Sequence, residues 1–271
     1  MLLLGGGVAS LYLSVCLFLY VYQPRLIFKP DLNLGISPAD LQLEYEEIWL
    51  PAGRSQLHGW WLPTPESDRV LLYLHGNGEN ISANLEHARR YQQMGFSVLL
   101  FDYRGYGRSQ GPFPSEQRVY EDAALGWNYL TQQRQIDPQN IWIFGHSLGG
   151  AIAIDLAVKH PEAAGLIVES SFSSMQAAVA STGQYGWIPV NLILHQRFDS
   201  LTKVAQLQLP VFYIHGLADE TLPAYMSQDL YAASPEPKAL WLVPNADHND
   251  VASTAGEQYF QQVQAFIADH Q

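Results

Sequence analysis

Ser147 sits in the run IWIFGHSLGG between Gly145 and Gly149, a setting that suits a hydroxyl used as a nucleophile. Ile141 to Phe144 are apolar and β-prone, and the alanine-rich stretch from Leu148 to His160-Pro161 is helix-forming. The spacing therefore predicts a strand, a sharp turn and a helix. Such a turn needs small neighbours, supplied by Gly145, Gly149 and Gly150, and it lifts the serine above the sheet edge. The Leu148 amide then lies at the positive end of a helix, where it would stabilise an oxyanion. The motif alone also reads as a plain glycine-rich turn, so the rest of the chain has to supply a base and an acid.

His248, in NADHND, is the expected general base because it lies in a loop between a strand and the last helix. The other histidines are less suitably placed. His58 belongs to an early hairpin, His75 and His215 end strands before a glycine, and His87 and His160 fall on or at the end of helices. His195 is in an irregular stretch, His270 is terminal, and His146 is too close to Ser147 in sequence to face it. Two acids compete to orient the base: Asp219 in HGLADETLP, a short loop beyond the strand LPVFYI, and Glu169 at the end of GLIVE. Asn77, in LYLHGNGEN after the first parallel strand, is expected to contribute a second oxyanion amide beside that of Leu148. RGYGRSQG lacks the glycine spacing of a dinucleotide loop and reads as a close-packed loop. With no H-E-x-x-H, C-x-x-C or paired-histidine pattern, neither a metal nor a cofactor is expected.

These residues must be positioned by an alternating scaffold. VLLYL, SVLLF, IWIFGH, GLIVE, LPVFYIHG and KALWLV are continuous apolar runs separated by helical segments, the signature of a parallel sheet covered on both faces. YEEIWLPAGRSQLHGWWLP precedes them as a hairpin. The rhythm breaks between about Phe172 and Leu209, an insertion expected to cap the strand ends. Its Phe172, Tyr185, Trp187, Ile188, Leu192 and Leu194 suit an acyl chain, or equally a small packed cap.

LHGNGEN, FDYRGYGRSQG, GHSLGG, ESSFSSM, GLADETLP and NADHND, in that order, resemble the α/β-hydrolase superfamily, specifically its serine aminopeptidase-like branch. Within it the chain is similar to small single-pass membrane-anchored hydrolases that include depalmitoylating thioesterases. The resemblance begins near Leu43 and implies an α/β-hydrolase fold. It also implies a catalytic triad of Ser147, Asp219 and His248, with the backbone amides of Asn77 and Leu148 as the oxyanion hole. An aspartate nucleophile, as in dehalogenases and epoxide hydrolases, is disfavoured by Ser147. A peptidase or amidase with the same triad remains the rival enzyme, and a scaffold that has lost its chemistry is the rival non-enzyme.

The chain has 271 residues, 48% of them hydrophobic, enough for one large core. A formal net charge of -12 with no basic stripe excludes a nucleic-acid partner. MLLLGGGVASLYLSVCLFLYVYQP carries no charged side chain, and about 20 such residues span a ~30 Å hydrocarbon core. It lacks the basic start and small-residue cleavage site of a signal peptide, and Val15 is too large for a lipobox before Cys16. Residues 1–23 are accordingly expected to be a transmembrane anchor that takes no part in catalysis, and 24–42 a loosely packed linker. Residues 43–271 are expected to be the catalytic domain, with the cap at about 172–209. Arg25 and Lys29 follow the span, which places the catalytic domain on the cytoplasmic side. The expected substrate is an ester or thioester of a small-molecule or lipid-like acyl group.

Overall fold

Five of the apolar runs become strands with every residue buried: β3 (Val70–Leu74), β4 (Ser97–Phe101), β5 (Ile141–His146), β6 (Gly165–Glu169) and β7 (Val211–Gly216). A strand covered on both faces has no polar side to present, hence the absence of alternation in the sequence. The computed structural model describes the backbone of residues 2–270 and the side chains of residues 7–270. Met1 and Gln271, which end the ranges expected for anchor and catalytic domain, lie outside the described residues. The hairpin strands β1 (Glu46–Ala52) and β2 (Ser55–Leu62) turn at Gly53, where φ is +66°. With the edge strand β8 (Lys238–Val243) they complete an eight-stranded sheet in the order β1-β2-β4-β3-β5-β6-β7-β8. Among the described residues only the β1–β2 and β2–β4 pairings are antiparallel. The result is the α/β-hydrolase fold.

Alternate side chains divide the core between the two faces of the sheet. Val70, Leu72 and Leu74 of β3 pack with α3 (Glu116–Asn128), α4 (Leu148–Lys159) and α8 (Tyr225–Ala233), while Leu71 and Tyr73 pack on the other side. That second side is covered by α2 (Leu85–Gln93), α9 (Val251–Ala255) and α10 (Glu257–Ala268). α10 shows why such a segment becomes a surface helix: its buried Tyr259, Val263, Phe266 and Ile267 recur at i, i+4, i+7 and i+8. The insertion between β6 and β7 forms three short helices, α5 (Met175–Ser181), α6 (Val190–Ile193) and α7 (Ser200–Val204).

The N-terminal region departs from expectation. Helix α1 (Leu2–Ile27) runs through Pro24, and its stretch Gly7–Ile27 is long and apolar enough to cross a membrane. The segment expected to be a loose linker is instead pinned to the globular part. Phe28 is buried in the core, the Gly107 amide donates to the Asp31 carbonyl at 2.8 Å, and Asn80 Nδ2 donates to the Asn33 carbonyl at 2.8 Å. The Gly35 amide donates to Ser82 Oγ at 2.9 Å. Residues 28–37 form neither helix nor strand, but short polar side chains opposite them satisfy part of their backbone, and a 3-10 turn at Pro38–Leu41 follows.

Candidate active site

At Ser147 the chain turns from β5 into α4 with φ +53° and ψ -118°, a conformation that non-glycine residues rarely adopt. The surroundings enforce it. A Cβ on Gly145 would overlap the Gly149 carbonyl, one on Gly149 would overlap the Leu74 carbonyl, and one on Gly150 would come 2.6 Å from Ser171. Gly145 and Gly149 thus let α4 press against β5 and β3, and Gly150 lets it approach the end of β6. The Ser147 amide donates to the Glu169 carbonyl at 2.9 Å, and its own carbonyl accepts from Gly150 N at 3.0 Å and from Ser171 Oγ at 2.8 Å.

His248 and Asp219 meet this serine from the loops beyond β8 and β7. His248 Nε2 lies 2.9 Å from Ser147 Oγ, and its Nδ1 lies 2.7 Å from Asp219 Oδ2. The other oxygen of Asp219 accepts from the amides of Thr221 and Leu222 at 2.8 and 2.7 Å. Burial opposes ionisation of this carboxyl, but it is outweighed by hydrogen bonds from His215, His248 and the Leu222 amide. Together they hold its pKa well below the usual carboxylate range. The group is a fixed anion able to orient an imidazole with its Nδ1 protonated, leaving Nε2 free to accept the serine proton.

Two histidines that the sequence analysis passed over support this arrangement. His215 Nε2 lies 3.1 Å from Asp219 Oδ2 and 2.9 Å from the Leu222 carbonyl, while its Nδ1 pairs with Ser227 Oγ at 2.7 Å. His146 donates from Nε2 to the His248 carbonyl at 3.0 Å; burial and the neighbouring His248 push its pKa down to about 4, so it braces the loop as a neutral ring. The only sequence signal for either was its place at the end of a parallel strand. Glu169, the competing acid, is directed elsewhere. It accepts from Tyr259 Oη at 2.7 Å, and burial raises its pKa to about 7 against the opposing effect of that bond.

Asn77 and Leu148 border the cavity beside Ser147, and among the described residues neither backbone amide donates to a protein acceptor. The Asn77 side chain holds its loop against the N-terminal helix: Nδ2 donates to the Ile27 carbonyl at 2.6 Å, and Oδ1 accepts from Lys29 N at 2.9 Å and Tyr106 Oη at 2.8 Å. Tyr103 Oη donates to the His75 carbonyl at 3.0 Å, so the RGYGRSQG region lies behind this loop as a brace. No group of three or more His, Cys, Asp or Glu side chains able to hold a metal occurs among the described residues.

The cavity above Ser147 has a volume of about 570 Å³ and a mainly apolar lining. Phe172, Tyr185, Ile188 and Leu194 of the cap line it, but Trp187 and Leu192, expected to do the same, point outward and are 60% and 78% exposed. The opposite wall is α1, through Leu19, Gln23, Leu26 and Ile27. The segment expected to be an anchor that takes no part in catalysis thus borders the cavity. Gln23 is buried and ties the two walls together, donating from Nε2 to the Ile193 carbonyl at 2.6 Å and accepting at Oε1 from the amides of His195 and Gln196 at 2.9 and 3.3 Å.

The fold and this constellation define an α/β hydrolase. The chain belongs to the family described as serine aminopeptidase, S33, which it matches over residues 65–203. An uncharacterized protein of Mycobacterium tuberculosis is 35% identical over 97% of this chain and 93% of its own length. The alpha/beta hydrolase domain-containing protein WAV2 of Arabidopsis thaliana is 29% identical over 94% of this chain and 90% of its own. Protein bem46 of Schizosaccharomyces pombe is likewise 29% identical, over 98% and 93%. Among solved structures, the Pyrococcus furiosus esterase Pf2001 superposes with a TM-score of 0.75 at 20% identity, covering 90% of this chain and 98% of that one, a likeness of fold. An alpha-beta hydrolase of Vibrio vulnificus gives 0.71 at 26% identity, covering 87% and 89%.

Proposed function

We propose that this protein is a membrane-anchored serine hydrolase that cleaves carboxylic esters or thioesters through Ser147, His248 and Asp219. The observation that carries this reading is the continuous relay from Ser147 Oγ to His248 Nε2 at 2.9 Å and from His248 Nδ1 to Asp219 at 2.7 Å. Ser147 Oγ attacks the acyl carbonyl as His248 takes its proton, and the amides of Asn77 and Leu148 stabilise the tetrahedral oxyanion. His248 then protonates the departing alcohol or thiol, leaving the acyl group on Ser147. A water molecule, deprotonated by the same imidazole, attacks the acyl-enzyme, and collapse returns the proton to Ser147 as the acid leaves. Residues 1–23 supply the anchor and 43–271 the catalytic domain, with Arg25 and Lys29 favouring a cytoplasmic location.

Peptide cleavage, the activity in the family's description, uses the same relay but also requires a group for a free α-amino terminus. Glu79 is the only acid in the cavity lining among the described residues, and burial raises its pKa. The mainly apolar lining favours an acyl group. Comparison of p-nitrophenyl acyl esters with peptide p-nitroanilides separates the two. The expected outcome is an ester-to-anilide ratio of kcat/KM at least ~100-fold above the ratio of the two uncatalysed hydrolysis rates, a difference of about 2.7 kcal/mol in transition-state binding. Preference for the anilides would establish the peptidase instead.

A further inference from the structure

The cap and α1 share a property that the rest of the surface lacks. From Ser170 to Gln196 there is no Asp, Glu, Lys or Arg, and α1 has none before Arg25. A soluble surface ordinarily carries roughly 25–35% charged side chains, so an exposed stretch of this length would be expected to hold several. The tip of this one is exposed: every residue from Ser181 to Trp187 is open, as are Asn191 and Leu192, while Ser170–Ser173, Met175, Ile188 and Gln196 are buried. The two uncharged segments also lie side by side. Tyr12 Oη donates to the Trp187 carbonyl at 3.1 Å with the rings 6.3 Å apart, Tyr20 packs on His195 at 4.8 Å, and Gln23 clamps Ile193, His195 and Gln196.

That alignment couples the fate of the two segments in a membrane. Tyr12 lies thirteen residues before Arg25 along the helix, which at 1.5 Å per residue places the Trp187 end of the cap about 20 Å from the level of Arg25. If α1 enters the bilayer up to Arg25, the cap enters with it. The composition permits this, and two hydroxyls at its tip are already satisfied: Ser181 Oγ donates to the Ala178 carbonyl and Thr182 Oγ1 to that of Val179, both at 2.8 Å. Arg25 and Arg118 flank one groove with Tyr22 and Phe113 at the base of the helix, a basic and aromatic collar suited to headgroups.

We propose that the uncharged cap and α1 form one bilayer-embedded surface, with the cavity opening inside it. The substrate is therefore a long-chain acyl ester dissolved in the membrane, whose chain, once in the cavity, lies against Tyr185 and Ile188 of the cap and Leu19 and Leu26 of α1. Its chemistry rests on the ester-hydrolase reading above; the depth of the cap does not.

Depth is read on the full chain in phosphatidylcholine vesicles, using Leu192→Cys in a Cys16→Ser background, since Cys16 is the sole cysteine. A bimane at position 192 is expected to be quenched by lipids brominated at mid-chain and protected from aqueous iodide. The same label on Gln139→Cys, exposed on the loop preceding β5, is expected to show the reverse. Iodide quenching at 192 equal to that at 139, or quenching only by headgroup-level bromine, overturns the proposal. This readout needs no turnover, so its failure is distinguishable from failure of the proposed chemistry. For the substrate route, Leu192→Asp is expected to lower kcat/KM on a vesicle-dissolved long-chain ester at least 10-fold while sparing a short water-soluble ester; an unchanged rate, or an equal fall on both, overturns it.

Discussion

Replacing Asp219 by asparagine changes one atom, and the hydrogen bonds around that atom determine the consequence. Oδ1 accepts from the Thr221 and Leu222 amides, so an asparagine keeps its oxygen there and turns its NH₂ toward His248 Nδ1 at 2.7 Å and His215 Nε2 at 3.1 Å. A donor then faces a donor on His248. The ring escapes by moving its proton to Nε2, which puts a hydrogen instead of a lone pair toward Ser147 Oγ and removes the general base. The same exchange in a serine protease triad costs about 10⁴ in kcat. A loss of that size corresponds to about 5.5 kcal/mol of barrier at 1.36 kcal/mol per factor of ten. Stability should change with a defined pH sense. The folded-state pKa of Asp219 is depressed, so its contribution is present above the unfolded carboxylate value and is lost as pH falls through the folded one. Asp219→Asn should therefore be less stable than the parent at neutral pH, with the gap closing in acid. The assay is kcat on a short p-nitrophenyl ester for full-length protein in detergent micelles, with thermal unfolding measured in parallel. A kcat within 10-fold of the parent in a folded variant would refute the reasoning.

Glu169→Gln should lower kcat by less than about 10-fold, because the glutamate serves Tyr259 and not His248. Its folded pKa of about 7 lies above the ordinary 4.5, so the unfolded chain releases the proton first and stability falls as pH rises between those values. At 1.36 kcal/mol per unit the fall approaches ~3 kcal/mol; denaturant titrations should show the variant matching the parent at pH 4 and exceeding it above pH 7, and an unaltered pH slope would contradict this. Gln23→Leu leaves the Ile193 carbonyl and the amides of His195 and Gln196 without partners, at about 1–3 kcal/mol each. It should raise KM for acyl esters more than it lowers kcat and speed amide exchange at 195–196; unchanged exchange there would show that the clamp is not holding the cap.

The parallel strands were legible because burial on both faces writes an unbroken apolar run, and the Ser147 turn because three glycines mark close contacts that tolerate no Cβ. Ser147, His248 and Asp219 were legible as neighbours because all lie beyond the carboxyl ends of parallel strands, where such loops converge. The role of α1 as a cavity wall was not. In a helix that is apolar all round, the stripe Leu19, Gln23 and Leu26 has no polar background to stand out from. The cap was opaque for a related reason: its short helices have no sustained period, so nothing in the order of residues separates inward-facing Ile188 from outward-facing Trp187. His215 and His146 were hidden because a strand-end histidine becomes a support only through partners distant in sequence, such as Ser227 for the first and the His248 carbonyl for the second. The packing of residues 28–35 escaped notice because its partners are scattered single groups, the side chains of Asn80 and Ser82 and the Gly107 amide, instead of a ladder.

The most direct test of the central claim is to treat full-length protein with a fluorophosphonate and map the adduct by mass spectrometry. An activated serine attacks phosphorus and expels fluoride, whereas a serine in a plain turn does not react. The account predicts a single adduct on Ser147, absent from His248→Ala and accompanied by complete loss of ester hydrolysis. Ser147→Ala should give neither adduct nor turnover, a fall of at least ~10⁴ in kcat. An adduct elsewhere, or an unlabelled Ser147 in protein that still hydrolyses esters, would contradict it.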